Sequence, residues 1–210
     1  MSIADLRENY DKNILLEKDI SKNPFEQFGI WFEQARVEGG LEPNAMNVST
    51  VDHNGYPHSR ICLLKDFDEK GFVFFTNYDS DKGHQLAQNP NISLLFFWMV
   101  QQRQVRIQGR VEKLSEQEST EYFNSRPLGS RIGAWASKQS QVITREDLEQ
   151  RYQDYEKQFG NDVPKPPHWG GYRVVPSSIE FWQGRPSRLH DRLKFTLEQD
   201  GSWNLDRLSP

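Results

Sequence analysis

The chain holds one cysteine, Cys62, among 210 residues. No internal disulfide can form, and an intracellular setting is expected. Long apolar runs are missing too. None approaches the roughly 20 residues that cross a bilayer, so no membrane contact is expected. The opening MSIADLRENYDKN lacks the basic start and apolar stretch of a secretory signal. A cytoplasmic location is the expectation. Positive charge is not in excess, with a net charge of −4. General nucleic-acid binders need a basic surface, so that class is set aside. Local basic clusters can still bind small phosphates.

Several motifs are also absent. The sequence has no Walker-type loop, no GxGxxG, no CxxC and no GxSxG elbow. His53, His58, His84, His168 and His190 show no zinc-like spacing. Cys62 sits mid-strand in RICLL, where a buried inert thiol is expected rather than a nucleophile. With neither metal nor activated nucleophile in view, demanding chemistry needs an organic cofactor.

Aromatics are plentiful, with 13 Phe, 7 Tyr and 6 Trp, enough to fill a core of one domain. Residues 1–22 are polar and read as a mobile arm, and 23–210 as a single domain. Asn23-Pro24 starts a helix whose Phe25, Phe28, Phe32 and Ala35 repeat at helical spacing up to Gly39-Gly40. AMNVSTV and PHSRICLLK flank an Asn54-Gly55 hairpin turn. GFVFFTN, ISLLFFWM and QVRIQGRVEKL are further strands, the second apolar throughout, as for a strand covered on both sides. Short helices are expected over 82–89, from Ser115 to about Asn124, and after Thr144, where Leu148, Tyr152, Tyr155 and Phe159 share a face. VPKPP is an extended connector. YRVVP, SIEFW, RLKFTLE and SWNLDRL read as four closing strands. The class is mainly β with α insertions (α+β), a barrel rather than a doubly wound parallel sheet.

Four clusters could carry chemistry. Tyr122 and Arg126 lie four apart on one helix face, and Ser130 can cap the next helix; such a trio suits a phosphate. A solvated helix end fits the spacing as well. Arg188, His190 and Arg192 alternate, so an extended segment turns all three to one face, either toward an anion or as a charged sheet edge. Arg60 and Lys65 have odd separation, so a regular strand points them to opposite faces: they serve different ligands, or the strand end turns, or both make surface ion pairs. Gln139-Ser140 could hydrogen-bond a heterocycle.

Taken together, RICLLK, FFTN, RQVRIQG, YFNSRP, IGAW-SKQS, WGGYRV, EFWQG, RLHDR and the closing DRLSP resemble the pyridoxine/pyridoxamine 5′-phosphate oxidases from about Pro24 to Pro210. The resemblance implies a homodimeric split β-barrel with FMN held between subunits. It implies that Arg60, Ile61, Cys62, Leu63, Phe75, Thr76, Lys82, Gln104, Gln139, Ser140, Trp182 and Arg192 contact FMN. Lys65, Tyr122, Arg126 and Ser130 are implied to hold the substrate phosphate. Arg188 and His190 are implied to be catalytic, facing the substrate ring. The implied reaction oxidises pyridoxamine or pyridoxine 5′-phosphate to pyridoxal 5′-phosphate, passing a hydride to FMN and then electrons to O2, with H2O2 released. No metal is implied. One departure stands out: the family usually has Ser-Arg-Lys where this chain has Ser80-Asp81-Lys82. Asp81 either weakens FMN binding or turns to solvent. Alternative readings are another split-barrel FMN oxidoreductase, or a pyridoxal phosphate carrier without activity.

Overall fold

The computed structural model describes residues 2–6, 8–39 and 41–210. Helix α1 spans Pro24–Val37. The Asn23 side chain accepts from the N–H groups of Phe25 and Glu26, and Pro24 fills the first turn, where no amide donor is needed. Its inner face buries Phe25, Phe28, Trp31 and Ala35. Gly39 follows at φ +95°, and Gly40 lies outside the described residues.

Among the described residues nine strands form one curled antiparallel sheet. They are β1 (Ala45–Val51), β2 (Pro57–Leu63), β3 (Asp66–Asp68), β4 (Gly71–Asn77), β5 (Asn91–Trp98), β6 (Arg103–Lys113), β7 (Trp169–Gln183), β8 (Asp191–Leu197) and β9 (Trp203–Arg207). Their order is β2-β1-β5-β6-β7-β4-β3, with β8 on β7 and β9 on β8. The two expected strands YRVVP and SIEFW are one strand, β7, because pairing with β6 carries it past Pro176. A register shift at Gln108/Gly109 marks where β7 changes its second partner from β4 to β8. Only glycine fits there: a Cβ on Gly109 would lie 2.1 Å from the Val175 carbonyl oxygen.

The core is aromatic. Phe28, Phe72, Phe74, Phe96, Phe181 and Phe195 are fully buried, each contributing about 1.5–3 kcal/mol by transfer from water. One expectation fails here. β5 is not covered on both faces: its burial alternates, and Phe97 is 48% exposed. Apolar residues on the open face leave an unpartnered apolar patch within one chain.

Among the described residues four more α-helices connect the strands: α2 (Asp81–Gln88), α3 (Glu116–Ser125), α4 (Leu128–Ala136) and α5 (Arg145–Phe159). Ser115 and Glu118 form the expected capping box on α3. Ser130 does not cap α4. The helix begins earlier, because Pro127 presets φ at −52° and its carbonyl accepts from the Ser130 N–H. Tyr152, Tyr155 and Phe159 of α5 pack on a second small core around Phe123, Ile132, Val163 and Trp169. Leu148 stays partly exposed.

The N-terminal segment lies against the sheet. Gln102 Oε1 accepts from the N–H groups of Asp11 and Lys12, and Leu15 and Ile20 are buried. No helix among the described residues is long and apolar enough to cross a membrane.

Candidate active site

A cleft of about 910 Å³ opens between β2, the end of β4, the start of α2, and helices α3 and α4. Its lining includes thirteen of the expected residues. Arg60 to Leu63 come from β2, Phe75 and Thr76 from β4, and Lys82 from α2. Tyr122, Arg126 and Ser130 come from the α3–α4 corner, Gln139 and Ser140 from the loop beyond, and Lys65 from the link between β2 and β3; because β2 ends at Leu63, Lys65 lines the same cleft as Arg60 and not an opposite face.

Two cationic centres stand out. In the first, Lys82 is buried, and its ammonium donates to Thr76 Oγ1 and Gln139 Oε1, both at 2.9 Å. Burial pulls its pKa below the ordinary lysine value. Arg60 reaches back across the hairpin to Thr50 Oγ1 at 2.6 Å and the Val48 carbonyl at 3.1 Å. Its pKa is also lowered by burial. In the second centre, Tyr122 stacks on Phe75 at 3.9 Å, and Trp169 lies parallel to both rings, 5.4 Å from Phe75 and 6.2 Å from Tyr122. The Arg126 guanidinium lies 4.7 Å from the Trp169 ring. Arg126 Nη1 is buried with no hydrogen-bond partner. Such an orphaned charged donor is costly. A bound anion would satisfy it.

Asp81 is the one acid among the lining residues. It is exposed, its N–H donates to Ser140 Oγ at 3.2 Å, and its charge opposes the effect of burial on both Arg60 and Lys82. Cys62 lines the cleft half-buried, and burial raises its thiol above 9.0, so it stays protonated near neutral pH.

The other expected residues lie apart from this cleft. Gln104, Trp182 and Arg192 sit side by side on β6, β7 and β8, opposite one another in register. Arg192 Nε donates to Glu180 Oε1 at 2.8 Å. His190 packs on Trp182 at 4.6 Å. Here the strand-face expectation for Arg188, His190 and Arg192 is corrected. Only Arg192 is in a strand, because Pro186–Arg188 forms a tight turn with Ser187 and Arg188 at φ 56° and 60°. The Leu189 N–H closes that turn on the Pro186 carbonyl. A period-two reading cannot detect such a turn; the Pro186-Ser187 pair that opens it is the local signal.

Sequence reasoning also passed over Trp169, Thr50 and Tyr10 as site residues. Trp169 follows from nothing but its place before Gly170-Gly171. Thr50 holds Arg60 across the hairpin. Tyr10 lies 5.8 Å from Trp182 and 6.0 Å from His190, a contact across the whole chain that no local pattern encodes.

A family model described as pyridoxamine 5′-phosphate oxidase matches residues 32–159. The chain belongs to the pyridoxamine 5′-phosphate oxidase family. A second model, the pyridoxine 5′-phosphate oxidase C-terminal dimerisation region, matches residues 169–210. A relative from Bordetella petrii, named pyridoxine/pyridoxamine 5′-phosphate oxidase, is 58% identical over all of both chains. One of the same name from Burkholderia mallei is 57% identical over all of this chain and 99% of its own. Among solved structures, PhzG from Burkholderia lata 383, in complex with tetrahydrophenazine-1-carboxylic acid, is 28% identical, with a TM-score of 0.88 over 94% of this chain and 98% of that one. A pyridoxamine 5′-phosphate oxidase-related, FMN-binding protein from Nostoc punctiforme shares the fold, with a TM-score of 0.75 at 15% identity over 91% of this chain and 100% of that one. The split-barrel expectation is borne out.

FMN, the cofactor this family implies, fits the residues present. Its phosphate needs buried or half-buried cations, which Lys82 and Arg60 supply. Its polar ring needs amide and hydroxyl partners, and Gln139, Ser140 and Thr76 line the same cleft.

Proposed function

We propose that this chain oxidises the 4′ carbon of pyridoxamine 5′-phosphate and pyridoxine 5′-phosphate, giving pyridoxal 5′-phosphate, with O2 as final acceptor and H2O2 as the second product. The observation that carries the reading is the orphaned, buried Nη1 of Arg126 in a cleft that also holds buried Lys82. One cleft with two cationic centres suits two phosphates, one on the substrate and one on the cofactor. When bound, FMN supplies the two-electron acceptor for the substrate's hydride.

The chain's own residues divide the remaining work. Lys82 and Arg60 hold the cofactor phosphate. Ile61, Cys62, Leu63, Phe75 and Thr76 line its ring, and Gln139 and Ser140 hydrogen-bond it. Lys65, Tyr122, Arg126 and Ser130 clamp the substrate phosphate. That clamp is remote from the reacting carbon, so its binding energy can orient the ring. Arg188 and His190 face that ring as the catalytic pair.

Arg188 and His190, with Gln104, Trp182 and Arg192, belong to the second group and do not line this chain's own cleft. The working enzyme is a homodimer, and each site takes its second group from the partner subunit, with FMN between the two. The open apolar face around Phe97 supports this arrangement. The reaction belongs to the cytoplasm, in keeping with a lone cysteine that stays a thiol.

The test is anaerobic. Pyridoxamine 5′-phosphate should bleach the yellow FMN-loaded protein, and air should restore the colour. A protein that binds pyridoxal phosphate but carries no flavin would instead support the carrier reading.

A further inference from the structure

His190 is the one imidazole in either residue group. Its Nδ1 lies 3.0 Å from the main-chain nitrogen of Arg185. A backbone amide can only donate, so Nδ1 must offer its lone pair. In the neutral ring the proton then sits on Nε2. Among the described residues no group bonds Nε2.

The local chain is built to make that contact. Ser187 and Arg188 both adopt left-handed backbone, at φ 56° and 60°. Residues that carry a side chain adopt such a conformation only at a cost that the surrounding structure must offset. The pair doubles the chain back, so that the Arg185 N–H meets a ring five residues later. The Leu189 N–H to Pro186 carbonyl bond, 3.1 Å, fixes the turn. Trp182 packs against the ring at 4.6 Å and Tyr10 at 6.0 Å, leaving it little freedom to flip. The charged groups around it are Arg188 and Asp191 on the same segment, with Arg185 held 3.7 Å from Asp191.

We infer that His190 acts as a neutral Nε2–H hydrogen-bond donor to the substrate ring, locked in that tautomer by the Arg185 main chain, and not as the base that takes the substrate proton. The inference rests on the reading that His190 faces the substrate. As a base, the ring would need a free lone pair. Nδ1 has already given its lone pair to Arg185, and Nε2 carries the proton. Protonation would put a hydrogen on Nδ1, facing the Arg185 N–H. Two donors cannot share 3.0 Å, so the turn would have to open. Burial, and then Arg188, push the His190 pKa down and keep the ring neutral.

The decisive measurement is a two-bond ¹⁵N–¹H correlation of the FMN-loaded homodimer, labelled at histidine. Comparison with His190→Gln identifies the His190 signals, and the ring's through-space contact to Trp182 identifies them if that variant does not fold. At neutral pH the expected pattern is a pyridine-like Nδ1 and a pyrrole-like Nε2. An Nδ1–H tautomer, or an imidazolium, would overturn the inference. Kinetics give a second readout. His190→Ala should lower kcat/KM about tenfold, the worth of one hydrogen bond. His190→Gln, whose amide can still donate, should recover most of that loss. Equal losses in both variants would also overturn it. If the wild type fails to oxidise pyridoxamine 5′-phosphate, the proposed function falls, while the tautomer is still decided by the spectrum.

Discussion

Lys82 and Gln139 stand 57 residues apart in sequence, and their side chains meet at 2.9 Å. That bond ties the start of α2 to the loop after α4 and closes one wall of the cleft. Lys82→Met removes the buried ammonium and its charge-assisted bonds, worth about 1.5–3 kcal/mol for one such bond. FMN affinity should fall by ten- to a hundredfold, read by quenching of FMN fluorescence on titration. Unchanged affinity would remove Lys82 from the cofactor site.

Arg126 should behave differently. Its buried Nη1 has no partner in the protein. Arg126→Met should raise KM for pyridoxamine 5′-phosphate by ten- to a hundredfold and leave FMN affinity intact. It should not lower Tm, because removing an uncompensated buried charge relieves a cost. A drop in Tm of many degrees would mean that Arg126 is structural.

A shared site makes a prediction about mixtures. Arg126 lies in the cleft and Arg188 in the second group. With substrate well below KM, Arg126→Ala and Arg188→Ala homodimers should each be nearly inactive. Co-expressed, they form heterodimers in which one of the two sites regains both intact groups. Activity should reappear well above either parent. No recovery would place both groups of a working site in one chain.

Asp81 is the single acid lining the cleft, close enough to affect both Arg60 and Lys82. Asp81→Asn should tighten FMN severalfold and leave riboflavin, which lacks the phosphate, unchanged. An equal effect on both would mean that Asp81 acts on the ring and not on the phosphate.

The N-terminal segment gives a pH prediction. Arg207 holds both Glu17 oxygens, at 2.6 and 2.9 Å, and Asp191 at 2.8 Å. The Arg207 guanidinium lowers Glu17 from 4.5 to about 2. A carboxylate with a depressed folded value stabilises the fold fully above its unfolded value, and this is lost as pH falls through the folded one. The segment should therefore loosen as pH drops from 4.5 toward 2, seen as faster proteolysis near Lys12 or Lys18. Arg207→Ala should loosen it already at neutral pH. Equal protection in wild type and variant would show that the ion pair does not anchor the segment.

Much of the architecture was legible because its signals are local. Asn23-Pro24, the Ser115–Glu118 capping box and Asn54-Gly55 each specify their element through neighbouring backbone groups. The joined strand β7 was not, because only pairing with β6 shows that Pro176 does not break it. The cleft residues were read largely through resemblance; spacing alone favours a solvated helix end for Tyr122, Arg126 and Ser130. What spacing could not convey was three-dimensional: the turn at Ser187 and Arg188, the Arg185 bond to His190, and Tyr10 against Trp182. Each of these depends on a backbone reversal or on contacts far apart along the chain.

The central claim is an oxidation that ends on oxygen. The most direct measurement follows H2O2 and pyridoxal 5′-phosphate together as the FMN-loaded homodimer turns over pyridoxamine 5′-phosphate in air. The account predicts both products, in equal amounts, with the rate falling sharply in Arg188→Ala while FMN stays bound. Pyridoxamine 5′-phosphate that binds without producing either product would contradict it.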